Sequence, residues 1–291
     1  MKYKLIHRTT YHYLGAVNTY HSLVCLQPQT LSSQICHEFS LHINPLPAEI
    51  VPRIDFFGNT IHYFSIDVSH QKLEVVAKSE VERFPCIVPN KHLSMSCQNT
   101  REHISDNRPL KIELLQYLLP SPFIEWDDDI KTFAQDCFSE TRSLYECVQK
   151  LCHKIFIEFE FVSNFTTIHT PLKMVLKERK GVCQDFSHLA IACLRSMGFA
   201  ARYVSGYLET LPPPGKKKLQ GSDASHAWIS VFIPPFGWCE FDPTNDIVPN
   251  ERHIITAYGR DYNDVAPLKG IIFSSGKHTL SVAVDVIPIN N

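Results

Sequence analysis

The sequence has no long apolar run. None of its segments approaches the roughly 18 consecutive apolar residues that a membrane-spanning helix needs. The N-terminal stretch MKYKLIHRTTYHY also lacks the apolar segment that a secretory signal carries. These absences predict a protein that has no membrane partner and is located in the cytoplasm.

The chain also lacks an excess of charge of either sign. Its 28 Lys and Arg residues nearly balance 30 Asp and Glu residues, so the net charge is −2 at pH 7. Binding to nucleic acid or to an anionic lipid surface needs concentrated positive charge, and the balance predicts neither partner. A chain of 291 residues with 44% hydrophobic residues is long enough for one large or two ordinary globular domains.

The ten cysteines include no CxxC pair and no dense cluster, although such spacing is typical of disulfide frameworks and zinc sites. Cys147, Cys152 and His153 have no second ligand pair nearby, and helical periodicity explains both thiols. The acidic run at 127–129 lacks calcium-loop spacing and fits a helix N-terminus instead. We therefore predict reduced thiols, mostly buried, and no metal or cofactor.

The sequence changes character along its length. Residues 1–95 contain short runs rich in β-branched and aromatic residues, separated by turn signals, which predicts a β-rich, sandwich-like domain. The polar stretch 96–109 indicates a linker. Helical periods and further strands follow in residues 110–291, which predicts an α+β protein with a mixed second domain in this last part.

One cysteine differs from the others by its position. Cys183 opens the segment CQDFSHLAIACLRSMG, whose apolar residues recur with helical spacing. The first N–H groups of a helix have no intrahelical partner and carry partial positive charge, so they stabilise a thiolate. The same groups can stabilise an oxyanion that forms when the thiolate attacks a carbonyl. Cys183 is therefore a candidate nucleophile.

A candidate base and its orienting group lie downstream. His226 begins a predicted strand, SHAWISVFI, in which it shares a face with Trp228. Asp242 ends the next predicted strand, and an antiparallel hairpin brings the two residues together. Trp228 either lines a cleft or lies in the core, and the polar loop at 209–225 either borders the substrate or is a solvated surface loop.

The hairpin register decides whether Asp242 can reach His226. A four-residue loop that pairs Ile233 with Trp238 would place Asp242 on the opposite face of the sheet. Shifting the register by one residue reverses the face. We therefore predict an odd-length connection or a bulge between Ile233 and Trp238, which would place Asp242 diagonal to His226.

The segments GVCQDFSHL, HAWISVF and GWCEFDPTN, in this order, resemble the core of the transglutaminase-like superfamily and its bacterial members described as cysteine proteases. The upstream segments HSLVCLQPQ, INPLP and DFFGN resemble the N-terminal region that often precedes this core. The resemblance implies that residues 110–291 form a catalytic domain, with a papain- or transglutaminase-like core of helices packed on an antiparallel sheet. It also implies that Cys183 is the nucleophile, His226 the general base and acid, and Asp242 the residue that orients the imidazole.

The expected activity is hydrolysis of a peptide, amide or isopeptide bond through an acyl-enzyme. Two alternatives stay open: acyl transfer from glutamine to an amine on the same triad, and a binding or scaffold protein without catalysis. Asn245 either supports the site or stabilises a turn. Phe161 occupies a position where the resemblance leads us to expect a tyrosine, so the second oxyanion donor is left open. The sequence does not indicate an oligomeric state.

Overall fold

The computed structural model describes residues 1–85, 93–210, 223–273 and 277–289. Cys86 and most of the polar loop at 209–225 lie outside the described residues. Within them, three four-stranded sheets, a short two-stranded pair and seven α-helices form a mixed α+β fold. No helix in these ranges is long and apolar enough to cross a membrane.

The N-terminal part forms two antiparallel sheets. The first contains β1 (Lys2–Val17), β3 (Gln34–Asn44), β6 (His70–Arg83) and β14 (His278–Ile289), in the order β14-β1-β6-β3. The second contains β2 (Thr19–Val24), β4 (Ile50–Ile54), β5 (Thr60–Ile66) and β13 (Leu268–Phe273), in the order β13-β2-β5-β4. Buried residues of both sheets, such as Tyr13, Phe64 and Leu73, share one apolar core. The predicted β-rich, sandwich-like region is confirmed.

The end of the chain returns to these N-terminal sheets. The sequence analysis placed residues 110–291 together, whereas the structure pairs β14 with β1 from Lys2↔Ile289 to Tyr13↔His278 and pairs β13 with β2. Without β14, the long strand β1 would expose an edge of unpaired N–H and C=O groups. The last two strands therefore complete the sheets of the N-terminal region instead of packing in the predicted catalytic unit.

The stretch predicted as a linker, 96–109, is largely helical. Ser96 Oγ accepts a hydrogen bond from Asn99 N–H (3.1 Å) and begins α1, and Asn107 Oδ1 accepts from Leu110 N–H (3.2 Å) and begins α2. Polar residues that indicate a loop in the sequence thus act as helix caps. The helices are α1 (Cys97–Asp106), α2 (Arg108–Leu114), α3 (Asp128–Gln135), α4 (Leu144–Glu158), α5 (Leu172–Glu178), α6 (Cys183–Ser196) and α7 (Tyr262–Val265).

The third sheet is antiparallel and carries the predicted hairpin. It contains β9 (Ala201–Leu208), β10 (Ser225–Ile233), β11 (Gly237–Phe241) and β12 (His253–Gly259), in the order β11-β10-β9-β12. Helix α6 packs on the apolar face of β10. Ala227, Ile229 and Val231 of β10 lie in the main core together with Leu189 and Cys193 of α6. The expected core of helices on an antiparallel sheet is confirmed.

Two amides from the N-terminal region cover the free edge of β12. Gln34 Nε2 donates to Ile255 O (2.8 Å), and Gln34 Oε1 accepts from Ile255 N–H (2.8 Å). Asn59 binds Tyr258 in the same way: Asn59 Nδ2 donates to Tyr258 O (2.7 Å), and Asn59 Oδ1 accepts from Tyr258 N–H (2.8 Å). Both amides are fully buried. They take the place of a neighbouring strand, because buried backbone groups need hydrogen-bond partners.

We expect Gln34→Leu to destabilise the protein by about 1–3 kcal/mol, because it leaves the N–H of Ile255 buried without its partner. The carbonyl of Ile255 keeps its hydrogen bond from the N–H of Gln29 (3.0 Å). Urea unfolding monitored by circular dichroism measures the loss. Gln71→Leu, on an exposed position of β6, is the matched control and should change stability by less than about 0.5 kcal/mol. Equal stability of the two variants would contradict a role for Gln34 at this edge.

Candidate active site

Cys183 is the first residue of α6, as predicted, and its side chain is half-buried. The preceding backbone is extended at Val182, whose N–H donates to Asp185 Oδ2 (2.8 Å). Gly181 is required next to this turn, because a Cβ there would lie 2.8 Å from Asp185 Oδ2. The thiol is therefore held at the start of a buried helix by a local side-chain cap.

A short parallel pair of strands supports the same turn. β7 (Glu160–Phe161) pairs with β8 (Lys180–Gly181), so Phe161 lies opposite Gly181. Thr166 Oγ1 donates to Asp185 Oδ2 (2.6 Å) and ties the following loop to the first turn of α6. The Phe161 ring is 54% exposed. It therefore presents an apolar surface, without a hydrogen-bond donor, near the residue that begins the helix.

The hairpin has the register that brings Asp242 to the face of His226. Ile233 pairs with Gly237 and Phe232 with Trp238, so three residues form the connection. Continuing this register places Trp228 opposite Asp242. The prediction of an odd-length connection is confirmed.

His226 and Asp242 are in direct contact. The Nε2 atom of His226 donates to Asp242 Oδ2 at 2.8 Å, and the Asp242 side chain has no solvent exposure. Asp242 Oδ1 accepts from the backbone N–H groups of Thr244 (3.0 Å) and Asn245 (3.2 Å), and Asn245 Nδ2 donates to Oδ2 (2.7 Å). Burial opposes the charge of this carboxylate, but the hydrogen bond from His226 and the others lower its pKa well below the ordinary range.

The charge of Asp242 acts on His226. Burial alone would lower the pKa of His226, but hydrogen bonds to Asp242 and to Cys183 outweigh burial and raise this pKa to about 10. Because Nε2 is bound to Asp242, Nδ1 is the ring atom that serves the Cys183 thiol. The structure thus brings the three predicted residues together, with His226 between the thiol and the carboxylate.

A second histidine also contacts Asp242. His253, at the start of β12, is fully buried and places Nε2 3.2 Å from Asp242 Oδ2. Nothing in the sequence distinguishes it, since it lies outside the three segments that indicated the site. The side chains of His226, Asp242 and His253 are near enough to share a metal ion, but both imidazoles aim at one carboxylate oxygen, and hydrogen bonds to that oxygen account for the arrangement.

Trp228 lies on the face of His226 and is part of the core instead of lining a cleft. The indole is fully buried, and its Nε1 donates to Glu240 Oε2 (3.0 Å). Its ring makes an edge contact with His253, with centroids 5.2 Å apart, and also lies 5.9 Å from the ring of His226. The indole therefore packs against both imidazoles that reach Asp242.

The patterns judged structural from the sequence have structural partners. Asp127 Oδ1 accepts from Ile130 N–H (3.1 Å) at the start of α3, as predicted for a helix N-terminus. Cys147 and Cys152 lie in the main core, while His153 is exposed and contacts Asp246. Among the described residues the cysteines are free thiols.

Comparisons with known proteins find two family profiles that match the chain. The profile of the bacterial transglutaminase-like N-terminal region matches residues 3–82, and that of the transglutaminase-like superfamily core matches residues 131–243. An uncharacterised protein of Mycobacterium tuberculosis is 38% identical over 99% of this chain and 93% of its own length. One from Mycobacterium leprae is 28% identical over 97% of each chain.

A solved structure has the same overall fold. The protein from Cytophaga hutchinsonii, named "Putative Cysteine Protease", superposes with a TM-score of 0.78 at 22% identity and covers 100% of this chain and 92% of its own. The fold and the sequence matches together define a class of protein, an N-terminal β-rich region joined to a transglutaminase-like core. The chain belongs to the transglutaminase-like superfamily, in its bacterial form with this N-terminal region.

The raised pKa of His226 predicts a specific pH dependence of stability. A histidine with a pKa near 10 in the folded state and 6.5 in the unfolded state contributes its full stabilisation below pH 6.5. It loses this contribution as the pH rises through 10. We expect the stability advantage of the wild type over His226→Gln to shrink by on the order of 1–3 kcal/mol between pH 6.5 and 9.5.

Urea unfolding at both pH values measures this change. His70→Gln is the control, because His70 lies in the N-terminal sheets and its Nδ1 contacts the carbonyl of Val68 instead of a carboxylate. An advantage of the wild type over His226→Gln that does not change with pH would show that His226 is not held in its charged form.

Proposed function

We propose that the chain is a thiol-dependent hydrolase of amide or isopeptide bonds, a cysteine-peptidase-like enzyme with the triad Cys183, His226 and Asp242. The observation that carries the proposal is the position of His226, which is hydrogen-bonded to Asp242 through Nε2 and interacts with Cys183 on its other side. A nucleophile, a base and a group that orients the base are the elements that acyl transfer requires.

Acylation follows from this geometry. The raised pKa of His226 favours an imidazolium beside a Cys183 thiolate, because Asp242 stabilises the positive charge. The thiolate attacks the carbonyl carbon of the substrate, and N–H groups at the start of α6 stabilise the oxyanion. The C–N bond then breaks as His226 gives its proton to the departing amine, which leaves a thioester on Cys183.

Deacylation reverses the proton transfer. Neutral His226 removes a proton from water, the hydroxide attacks the thioester carbonyl, and Cys183 leaves as a thiolate while the acid product forms. A primary amine in place of water would give a new amide instead, which is the reaction of a transglutaminase. The half-buried thiol is open to solvent, and since water is abundant at an open site, hydrolysis is the proposed outcome.

We also propose that the enzyme acts in the cytoplasm. The described cysteines are free thiols, and the sulfur atoms of Cys97 and Cys147 lie 3.6 Å apart without a bond. Unpaired thiols at this separation fit a reducing compartment.

Selective alkylation tests whether Cys183 is an activated thiol. At pH 7, iodoacetamide should label Cys183 much faster than the other nine cysteines, because Cys183 lies at the start of α6 beside a charged His226. Peptide mapping by mass spectrometry measures the rate at each site. Slow labelling of all ten thiols would favour a binding or scaffold protein.

Substitutions in the triad test catalysis. Cys183→Ala should abolish hydrolysis, and Asp242→Asn should lower kcat by about 10²–10⁴-fold while the fold survives, because an amide cannot balance the imidazolium charge. The assay uses a set of fluorogenic peptide amides and casein, each with and without a primary amine such as dansylcadaverine. The amine separates the two reactions, because only a transferase attaches it to the protein.

The matched control is Cys36→Ala, since Cys36 is a half-buried thiol on β3 of the N-terminal sheets. It should keep wild-type turnover. Wild-type turnover in Asp242→Asn would remove Asp242 from the triad, and turnover in Cys183→Ala would overturn the proposed function.

A further inference from the structure

His253 reaches Asp242 from the far side of the sheet. Asp242 follows β11 and His253 begins β12, and the strands β10 and β9 lie between them in the order β11-β10-β9-β12. Even so, Nε2 of His253 lies 3.2 Å from Asp242 Oδ2, and the ring centroids of His253 and His226 are 6.1 Å apart. The two imidazoles meet one carboxylate oxygen above the end of the sheet.

The glycine at 206 makes this approach possible. In the sheet, Gly206 of β9 pairs with His226 on one side and with Ile255 on the other. A Cβ at this position would lie 2.6 Å from the Trp228 ring and 2.1 Å from the carbonyl oxygen of Ile254. A side chain there would therefore occupy the space between β10 and β12 over which the two imidazoles approach each other.

The hydrogen bonds of His253 define its tautomer. Its Nδ1 accepts from the backbone N–H of Asn250 at 3.2 Å, so in the neutral ring the proton is on Nε2 and is donated to Asp242. Burial lowers the pKa of His253 despite the neighbouring Asp242 carboxylate, and the charge of His226 lowers it further. Asp242, His226 and Glu240 are the charged groups that act on the ring, and His253 stays a neutral donor beside a charged His226.

Contacts on both sides of His253 hold its backbone. Its N–H donates to Asn250 O at 3.0 Å, a carbonyl that also accepts from Arg83 of the N-terminal sheet at 3.5 Å. Two residues further along β12, Gln34 holds both backbone groups of Ile255. The backbone position from which the His253 ring extends is therefore fixed, as is the tautomer of the ring.

We propose that His253 is a positioning residue of the active site. Its neutral Nε2–H holds Asp242 Oδ2 in the direction of His226, so that the His226 ring keeps Nδ1 toward Cys183. The proposal rests on the proposed function, because it assigns His253 to the same triad. It does not require His253 to touch the substrate.

Substitution of His253 tests the proposal through the titration of His226. The pH dependence of Cys183 alkylation by iodoacetamide, measured on the full chain, should show an upper inflection where His226 loses its proton. In His253→Leu, which removes the donor but keeps an apolar side chain, this inflection should move at least about one unit to lower pH, a tenfold change in the His226 equilibrium. His253→Gln, which has an N–H donor at a similar reach, should keep the inflection close to its wild-type pH.

The matched control is His70→Leu, a buried histidine of the N-terminal sheets, which should leave the inflection in place. An unchanged inflection in a folded His253→Leu would overturn the proposal. A shift to higher pH would also overturn it, because that result would mean that His253 only withdraws charge from Asp242.

A second measurement needs no variant. In protein labelled with ¹⁵N-histidine, the two ring nitrogens of His253 should have the shifts of a neutral Nε2–H tautomer from pH 7 to 9. A protonated ring, or a proton on Nδ1, would contradict the proposal. If Cys183 of the wild type shows no selective alkylation but His253 has this tautomer, the proposed function fails while the hydrogen bond to Asp242 stands.

Discussion

A carboxylate without solvent contact is the constraint on which the candidate active site depends. Asp242 is completely buried, and a buried charge is tolerated only when donors surround it. The two backbone N–H groups on Oδ1 set the direction of the carboxylate, and His226, His253 and Asn245 share Oδ2. The charge that results raises the pKa of His226, so the turn after β11 determines the protonation state of the proposed base.

The N-terminal sheets contribute to this arrangement without supplying a member of the proposed triad. They provide the amides that replace a strand beside β12 and the arginine that contacts Asn250 O. His253 lies on the strand that these contacts support. The profile of the N-terminal region and that of the core match the same chain. The N-terminal sheets pack on the edge strand β12 of the core sheet, which gives a physical reason for the presence of both regions in one chain.

Sequence reasoning recovered the parts of the site that depend on local patterns. Helical periodicity placed Cys183 at a helix start, strand alternation placed His226, and parity of the hairpin required the odd connection before Trp238. His253 and Gly206 were missed, because the approach of His253 to Asp242 and the space left at Gly206 depend on neighbouring strands, which spacing along the sequence does not reveal. The pairing of β14 with β1 was missed for the same reason, and the capping roles of Ser96 and Asn107 made a helical stretch look like a linker.

The pairing of β1 with β14 bears on how the protein is made. Translation proceeds from the N-terminal side, so β1 is synthesised long before its partner β14. In the finished sheet, Lys2 of β1 pairs with Ile289 of β14. Until then, β1 has one unpaired edge, and contacts between segments so distant in sequence form slowly. The first sheet therefore closes only after β14 has been synthesised, and until then β1 keeps an open strand edge.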